Sequence, residues 1–352
     1  MTVHRTTLLS RRAASSPPPD PGVPGGNARA RDGPASAGRP WWPWITRILT
    51  IAFFALVAYL IVTNARQIEW TEVAAALRRR PVGSLLAATA LAAASYAVYS
   101  CYDLLSRQYT GHDVSTARVV CTTFISYAFN LNLGSLVGGL GFRHRLYSRL
   151  GLGTGEINRV IAFSMLTNWI GYLLLAGTVF LLRPLEIPEG WSLGTGALQA
   201  LGLALLAVVA AYLLGCAFAR TRTWSIRGHD IELPPLRMAL MQIAISSLNW
   251  LLIAGVIFLL LQRELPYHTV LATLLVAAVA GVLTHVPAGL GVLEAVFVTL
   301  LASQMDTSEL LAALLAYRGI YYLGPLAIAA VVYLILEARI ARASDSASGP
   351  AP

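Results

Sequence analysis

Ionisable side chains inside apolar runs are the residues of this sequence best suited to chemistry. Glu294 follows the stretch THVPAGLGV in one apolar run, and Arg318 lies in the next run, within AYRGIYYLGP. Charged residues at membrane depth are rare, usually face a cavity and usually have a charged partner. Glu294 and Arg318 are therefore expected either to form a structural ion pair or to face a polar pathway and contact a charged headgroup.

A second group of polar residues lies beside glycine-rich sequence. Arg143 and Arg145 belong to FRHRLYSRLG, and guanidinium groups are suited to bidentate contact with phosphate. The alternative is that both are ordinary arginines of a cytoplasmic loop. His285 is a further candidate headgroup contact, because histidine is the side chain type suited to proton exchange near neutral pH; the alternative is that, beside a proline, it hydrogen-bonds freed backbone. Asp103, near the end of an apolar run, is expected at the membrane interface.

Two glycine-rich stretches break apolar runs of the chain. They are NLGSLVGGLGF at 132–142 and HVPAGLGV at 285–292. Non-helical backbone at membrane depth is tolerated only where protein or a watery cavity covers its polar groups. The two breaks are therefore the best candidates for lining a central site, unless their glycines only allow close helix packing. The residues predicted to line the cavity are Asn132, Gly138, Gly139, Gly141, Pro287, Gly289 and Gly291.

The composition indicates a membrane protein. Of the 352 residues, 56% are hydrophobic and only 12% are charged, and the mean hydropathy is +0.63. Several apolar runs are long enough to cross a bilayer as helices. The sequence therefore predicts an all-α polytopic membrane protein.

The amino-terminal segment differs from the rest of the chain. Residues 1–40 are rich in Pro, Gly, Ala, Ser and Arg, and such a segment is predicted to be a disordered cytoplasmic tail. The WWPW cluster at 41–44 is typical of a membrane interface. A single membrane domain is expected over residues 41–340, followed by a short cytoplasmic tail at 341–352.

Eight apolar elements can be drawn along the membrane domain. Six are continuous and predict full transmembrane helices, whereas the third and the seventh contain the two breaks. Their approximate bounds, in chain order, are 44–63, 82–105, 114–142, 156–182, 194–218, 236–262, 269–302 and 308–339.

The two halves of the domain show a sparse internal repeat. GLG at 139–141 matches GLG at 289–291 with an offset of 150 positions. WIG at 169–171 matches YLG at 322–324 with an offset of 153 positions. A duplication is therefore predicted. Its half-repeats cover about 41–190 and 191–340.

The arginines favour one of two topologies. All 26 basic residues are arginine. If all eight elements cross from a cytoplasmic N-terminus, 13 arginines lie inside and 12 outside; if the third and seventh elements are re-entrant, 19 lie inside and 6 outside. The second count obeys the positive-inside rule and gives an inverted repeat. In this topology the stretch IEWTEVAAALRRR, which ends at Arg80, falls on the outer side of the membrane. Its arginines do not fit the rule there, so the stretch is better explained as an interfacial amphipathic helix.

Signatures of catalysis and of metal binding are absent from the sequence. The widely spaced Cys101, Cys121 and Cys216 are expected to be core residues, and no Cys/His cluster has metal-ligand spacing. GLGTGE at 151–156 follows no strand, so a phosphate-loop interpretation is weak. We therefore expect no enzymatic activity, no cofactor and no metal. The net charge of +9 lies mostly in the tail and loops, which favours membrane orientation over nucleic-acid binding.

The segments GGLGFRHRLYSRLG and THVPAGLGVLEA resemble two motifs of one family. The family comprises the membrane region of lysylphosphatidylglycerol synthases and their stand-alone YbhN-like relatives, with an "RYRLYS"-like stretch after a Gly-Gly pair and a later "HxPGGLGxxE"-like stretch. The resemblance extends over about residues 44–340. The matching residues are Gly138, Gly139, Arg143, Arg145, Leu146, Tyr147, Ser148, His285, Pro287, Gly289, Leu290, Gly291 and Glu294.

The resemblance implies a flippase-like domain that moves aminoacylated or related phospholipids between the leaflets of a prokaryotic inner membrane. Membrane phospholipid is then the expected partner, and a homo-oligomer or a separately encoded lipid-synthesising enzyme is compatible with it. The chain ends at Pro352 without the soluble transferase domain of the synthases, so it is not expected to make the lipid. Ala288 stands for a common glycine and His144 for an aromatic residue, so the lipid stays unassigned.

Two other functions are compatible with the same features. A secondary transporter of a soluble solute would use the same inverted repeat with ion-coupled uptake. A non-transporting partner of an envelope-lipid enzyme would tolerate neutralisation of every charge at the breaks.

Overall fold

The computed structural model describes residues 81–182, 195–219, 223–226, 229–284 and 289–347, with isolated positions between 71 and 80. These residues belong to one compact unit, Phe53–Pro352. Their helices are α1 (Val82–Thr110), α2 (Thr116–Leu133), α3 (Phe142–Arg149), α4 (Thr154–Leu182), α5 (Thr195–Phe218), α6 (Leu236–Leu260), α7 (Tyr267–Thr284), α8 (Val292–Leu301), α9 (Thr307–Tyr317) and α10 (Gly324–Ala347).

Three further elements connect these helices. The π-helical segment Ser135–Gly141 joins α2 to α3, and a second one, Arg318–Leu323, joins α9 to α10. Between α5 and α6, the antiparallel strands β1 (Thr223–Ile226) and β2 (His229–Glu232) form a short hairpin. This hairpin was not predicted from the sequence.

The apolar helices confirm the predicted all-α polytopic membrane protein. Within the described residues, six stretches are long and apolar enough to cross a membrane. Five of them correspond to continuous elements of the sequence prediction, and the sixth is α7, the first part of the seventh element. α2 is not among them, because it contains two asparagines, an arginine and several hydroxyl side chains. The six stretches are Val82–Thr110, Thr154–Leu182, Gly196–Phe218, Leu236–Leu260, Tyr267–Thr284 and Thr307–Arg339.

The antiparallel pair α1 and α6 defines the two ends of the bundle. Ser95 Oγ donates a hydrogen bond to Asn249 Oδ1 at 2.7 Å, and Gly255 lies beside Leu91. The two helices therefore run in opposite directions, and α1 begins where α6 ends. We call this the Arg80 end, and we call the opposite end, where α1 finishes, the Asp103 end.

The third apolar element enters and leaves at the Asp103 end. α2 begins shortly after α1 finishes, and the chain reverses through the first π-helical segment into α3. The rings of Phe129 and Phe142 stack with centroids 4.0 Å apart, whereas residues so spaced in a straight helix lie about 20 Å apart. Arg143 on α3 contacts Asp103 near the end of α1. The element is a hairpin that returns to the end from which it came.

The seventh apolar element enters and leaves the bundle at the Arg80 end. α7 follows closely on the end of α6, and α8 packs against α7. α9 begins at the same end, since Arg80 Nη2 donates to the carbonyl oxygen of Glu309 at 3.0 Å. The two hairpins thus enter the bundle from opposite ends, which is the arrangement expected of an inverted repeat.

Some predicted boundaries need correction. The third element is two helices around a π-helical segment, and a second such segment interrupts the eighth element. α10 continues to Ala347, so most of the tail expected at 341–352 is helical, because LEARIARASDSA contains no helix-breaking glycine or proline. Arg80, expected along the membrane surface, is buried. The tail at 1–40 and the first element at 44–63 lie outside the described residues.

Candidate functional site

A buried ion pair follows the first break. Arg143 Nη2 lies 3.1 Å from Asp103 Oδ1 and donates to Ser164 Oγ at 3.2 Å. Tyr147, one turn further along α3, donates to Asp103 Oδ2 at 2.9 Å. The side chain of Asp103 is fully buried and that of Arg143 is 6% exposed. Asp103, expected at the membrane interface, is thus enclosed by protein, because Arg143 provides the opposite charge that allows a carboxylate to be buried.

Some buried polar atoms of this ion pair and its surroundings lack a hydrogen-bond partner in the described structure. Arg143 Nε is buried and has no hydrogen-bond partner in the described structure, and the same holds for the Tyr102 hydroxyl. Asp103 Oδ1 meets the guanidinium without hydrogen-bond geometry. The ring of Tyr99 lies 5.8 Å from the Arg143 guanidinium carbon. A buried donor without an acceptor costs about 1–3 kcal/mol, so Arg143 retains the capacity to bind a further acceptor.

A second ion pair lies beside the second break. Arg318 Nη2 donates to Glu294 Oε2 at 2.9 Å, and Arg318 Nε donates to Glu294 Oε1, which makes the contact bidentate. The side chains are 7% and 17% exposed. Arg318 Nη2 also donates to the carbonyl oxygen of Gly289 at 3.0 Å. The two residues form the ion pair that was one of the alternatives for them, and Arg318 additionally holds the backbone of the break.

Both breaks contact the second π-helical segment, Arg318–Leu323. From the second break, Gly289 accepts the hydrogen bond of Arg318. From the first break, Asn132 Nδ2 donates to the carbonyl oxygen of Tyr322 at 3.2 Å. Turns of π-helix inside α-helices are frequent at functional sites. This segment is the place in the described structure where the two hairpins meet.

Proline explains part of this irregular geometry. Pro325 has no N–H group, so the carbonyl oxygen of Tyr321, four residues earlier, lacks its usual helical donor. The Tyr96 hydroxyl donates to that oxygen at 3.1 Å instead. A side chain of α1 therefore stabilises the interruption in the last apolar element.

A chain of buried hydroxyl groups links the two halves. The Tyr321 hydroxyl lies 3.0 Å from the Tyr127 hydroxyl and 2.7 Å from Ser95 Oγ, which donates to Asn249. Ser95 and Asn249 are 154 positions apart, close to the offset of the sequence repeat, so equivalent positions of the two halves face each other. The network joins α1, α2, α6 and the second π-helical segment.

A half-buried cluster lies near the start of α4, at the Asp103 end. Arg145 and Arg149 both contact Glu337 on α10, with Nη2 and Nη1 at 3.3 Å and 2.6 Å from Oε1. The Tyr333 hydroxyl donates to the same oxygen at 2.6 Å. Arg145 therefore pairs with a carboxylate of the last helix and is separate from the Asp103–Arg143 pair.

The glycines of the two breaks serve different purposes. A Cβ at Gly138 would overlap the backbone of Phe129 and Asn130, and one at Gly139 would lie 2.7 Å from Asn130 Oδ1. Gly289 and Gly291 have φ of +56° and +78° and nothing within 4 Å of an added Cβ. Close packing therefore requires glycine at 138 and 139, whereas a positive φ favours glycine at 289 and 291, as it also does at Gly134 of the first break, where φ is +82°. Gly141 ends its segment with right-handed backbone.

His285, Pro287 and the three cysteines are the remaining candidate residues of the sequence prediction. His285 and Pro287 lie outside the described residues. Cys216 is buried, as expected of a core residue, whereas Cys101 and Cys121 are only partly buried. Among the described residues, no group of three or more His, Cys, Asp or Glu side chains could hold a metal ion.

Sequence reasoning missed several polar residues of the interior. The hydroxyl network and Glu337 gave no motif, since single Ser, Tyr and Asn residues in apolar helices are common. The signal that could have found Tyr321 is Pro325, because it removes the helical donor for the Tyr321 carbonyl. The match between WIG and YLG already pointed to this neighbourhood.

The fold and the site define a class of protein. It is a multi-pass helical membrane protein with two helical hairpins that begin and end at opposite ends of the bundle, and with charged pairs in its interior. The family model described as "Lysylphosphatidylglycerol synthase TM region" matches residues 47–329, and the chain belongs to that family.

Two relatives match most of the chain. The chain is 45% identical over 305 residues to "Inner membrane protein YbhN" of Escherichia coli (strain K12), covering 86% of this chain and 96% of the relative. It is 30% identical over 317 residues to an uncharacterized protein of Synechocystis sp., covering 87% and 98%. The similarity therefore extends over most of the chain.

Proposed function

We propose that this protein is a lipid translocator that moves a polar phospholipid, aminoacylated or related, between the leaflets of an inner membrane. The observation that supports it best is the contact of both hairpins with one π-helical segment, Arg318–Leu323. Alternating access requires a central site that can be reached from either side of the membrane. Hairpins from opposite ends that meet at one segment have the geometry for such a site.

The charges beside the breaks suit a headgroup that contains both signs. Arg143, with its unpartnered Nε, is suited to a phosphate oxygen. Glu294, the more exposed member of its pair, is suited to a cationic amine. A charge inside the bilayer costs about 2.5–3.5 kcal/mol on insertion scales. Exchange of the internal partner for the headgroup would reduce that cost during translocation.

The membership of the family supports the choice of a lipid as substrate. The family model is named after a lipid synthase, and one relative is named an inner membrane protein. We place the N-terminus in the cytoplasm on the basis of the arginine count. The protein itself catalyses no covalent reaction in this proposal, and a separately encoded enzyme supplies the lipid. Self-association is compatible with this role.

Leaflet exchange of a fluorescent phospholipid in proteoliposomes tests the proposal. The wild type is expected to expose lipid of the inner leaflet to a membrane-impermeant quencher. Arg143→Gln and Glu294→Gln are each expected to slow this exchange at least about tenfold, which corresponds to 1.4 kcal/mol. Protein that elutes as a folded species is compared throughout.

Matched control variants carry the same substitutions at exposed sites. Arg159→Gln on α4 and Glu309→Gln on α9 should exchange lipid at the wild-type rate, because both side chains face away from the interior. Full exchange by Arg143→Gln and Glu294→Gln would refute the proposal. Uptake of a soluble solute driven by an ion gradient, without lipid exchange, would indicate a secondary transporter instead.

A further inference from the structure

Arg80 is a buried arginine that the proposed function does not use. The residue is 7% exposed, and its Nη2 donates to the carbonyl oxygen of Glu309 on α9 at 3.0 Å. Its Nε is buried without a hydrogen-bond partner, and no carboxylate among the described residues forms an ion pair with this guanidinium. Burial of a charge is costly unless the charge is paired and hydrogen-bonded. Arg80 is therefore an enclosed cation that still requires an anion.

The position of Arg80 argues against a role in orienting the chain. In the topology that the arginine count favours, the Arg80 end faces outward, whereas orienting arginines lie at the cytoplasmic side. Arg78, two residues earlier, is exposed, but Arg80 is enclosed by protein. A buried arginine at the outward end therefore needs an explanation other than membrane orientation.

The start of α1 offers further donors for an anion. α1 begins after Pro81 with no side-chain cap and with no acidic residue in its first turn. The first N–H groups of a helix lack acceptors within the helix, and together with the helix dipole they favour binding of phosphate. Pro81, Val82 and Gly83 are exposed, and a Cβ added at Gly83 would meet nothing within 4 Å. The amides of this turn are therefore open to a ligand.

The guanidinium and the start of α1 are close enough to bind one group. Arg80 directly precedes Pro81, so covalent geometry keeps its Nε no more than about 11 Å from the amide nitrogen of Val82. A phosphate group with one hydrogen bond on each side spans about 8 Å. The bond to Glu309 also holds the Arg80 side chain in place beside the first turn of α9. The two sets of donors can therefore share one anion.

We propose that Arg80 Nε and the first amides of α1 bind the phosphate group of a phospholipid at the Arg80 end. The inference rests on the proposed function for the choice of a lipid as the source of the phosphate. At the Asp103 end, Arg143 provides a second guanidinium with an unpartnered Nε, but there a phosphate competes with Asp103. At Arg80 the phosphate supplies the countercharge that the described residues lack. A translocated headgroup thus meets one buried arginine at each end of the bundle.

Hydrogen-exchange mass spectrometry on the purified full-length protein tests this site locally. The protein is kept in a maltoside detergent, which contains no phosphate, and is titrated with a short-chain phosphatidylglycerol. At about ten times the Kd, exchange of the amides at 82–84 is expected to slow about tenfold, because they exchange only while the lipid is dissociated. Arg80→Gln should raise the lipid concentration for half-maximal protection at least about tenfold. Unchanged exchange in the wild type across the titration would overturn the site.

Matched variants separate phosphate binding from a purely structural role of Arg80. Arg78→Gln removes an exposed arginine nearby and should leave the lipid-dependent protection unchanged. Pro81→Asp places a favoured capping carboxylate at the start of α1 and should weaken this protection at least about tenfold without altering Arg80. Pro266→Asp adds the same charge before the start of α7 and should have no effect. Protection that persists unchanged in folded Arg80→Gln or in Pro81→Asp would overturn the inference.

Two further ligands identify the group that is bound. Dioctanoylglycerol has acyl chains but no phosphate and should give no protection at 82–84, and equal protection by it would overturn the recognition of phosphate. Inorganic phosphate should require a higher concentration than the lipid, because the acyl chains add apolar contacts. Protection by inorganic phosphate at an equal or lower concentration would overturn the assignment to a lipid.

The readout is binding at the start of α1 and not leaflet exchange. In Arg143→Gln the lipid should still protect the amides at 82–84, and loss of protection there would overturn a separate site at Arg80. Protection that depends on Arg80 supports this site even if the wild type fails to exchange lipid. The two proposals can therefore fail separately.

Discussion

The two breaks interrupt the membrane domain with opposite chemistry. The first hairpin contributes a cation, Arg143, to a pair whose side chains are 6% and 0% exposed. The second contributes an anion, Glu294, to a pair whose members are 7% and 17% exposed. Both hairpins begin and end at one end of the bundle, as the predicted repeat implies, whereas their charges and their enclosure differ.

If the protein translocates a lipid as proposed, the difference gives the two hairpins opposite roles. A path that passes both hairpins would meet a positive group beside one and a negative group beside the other. A headgroup that contains both charges can bind either group without leaving the other one isolated. Two breaks with charges of the same sign would both repel the headgroup charge of that sign.

Labelling of single cysteines tests whether the hairpins enter from opposite sides, and its outcome is all or none. In a variant that lacks the three native cysteines, Asp113→Cys and Thr154→Cys flank the first hairpin, and Glu264→Cys and Gln304→Cys flank the second; all four positions are exposed. The first two should react with an impermeant maleimide only from the cytoplasm, and the last two only from outside. Labelling of either pair from opposite sides would disprove re-entry for that element.

Removal of the acid from each ion pair should affect stability unequally. Asp103→Asn leaves Arg143 buried without a countercharge and is expected to cost about 3–5 kcal/mol. Glu294→Gln should cost less, about 1–3 kcal/mol, because Glu294 is more exposed. The fraction of monodisperse protein after heating, measured by size-exclusion chromatography, reports the loss. The double variant Asp103→Asn/Arg143→Gln should recover part of it, and a larger loss for Glu294→Gln would contradict the ranking.

Alanine at the glycines should distinguish close packing from backbone conformation. Gly138→Ala forces a Cβ into the backbone of Phe129 and is expected to destabilise by about 3 kcal/mol. Gly289→Ala meets no atom but must keep a positive φ, at a cost of about 1 kcal/mol. Gly155→Ala, in open space in α4, is the neutral control. Equal melting shifts at Gly138 and Gly289 would remove the distinction.

The loop that leads into the first hairpin should show a small pH dependence. His112 is buried, and its Nδ1 accepts a hydrogen bond from the Val114 amide at 3.3 Å. Burial lowers the pKa of His112 below its usual value of 6.5, and Arg107 acts in the same direction. The unfolded chain then binds the proton more readily, so stability is full above about pH 6.5 and is lost as the pH falls towards the folded pKa. His112→Gln should reduce the fall in melting temperature between pH 7.5 and pH 5.5, two values that lie about one unit above and below the usual histidine pKa. An identical fall in the variant would contradict the prediction.

The loop that follows the second hairpin differs in its charge and its exposure. Asp306 caps α9 by accepting hydrogen bonds from the amide and the hydroxyl of Ser308, and these bonds lower the pKa of its carboxyl. Because the folded pKa is depressed, the stabilisation is present above the ordinary value and is lost only in acid. Mild acidification from neutral pH should therefore weaken the stabilisation that depends on His112 and leave the capping by Asp306 unchanged.

The sequence was sufficient for the features that depend on local composition. Apolar runs predict helices, glycine and proline predict the breaks, and two rare intramembrane charges, Glu294 and Arg318, had few other partners available. The arginine count favoured the re-entrant topology, and the contacts of Arg143 with Asp103 and of Arg80 with Glu309 agree with hairpins at opposite ends.

Features that depend on contacts between residues far apart along the chain could not be predicted from the sequence. Asp103 and Arg143 are far apart along the chain, and nothing local distinguishes a carboxylate at a helix end from one enclosed by a returning hairpin. Glu337 looked like an ordinary charge at the end of the last helix. The π-helical segments depend on which side chains reach freed carbonyl groups, as Tyr96 does for Tyr321, and such contacts exist only in the folded bundle.

The contact between Ser95 and Asn249 has a mechanical consequence. These residues are 154 positions apart, so they occupy equivalent positions of the two halves on the predicted repeat. If the halves rock against each other, atoms near the middle of the bundle move less than atoms at its ends. The hydrogen-bonded chain from Asn249 through Ser95 and Tyr321 to Tyr127 can then persist while contacts at the ends of the bundle change.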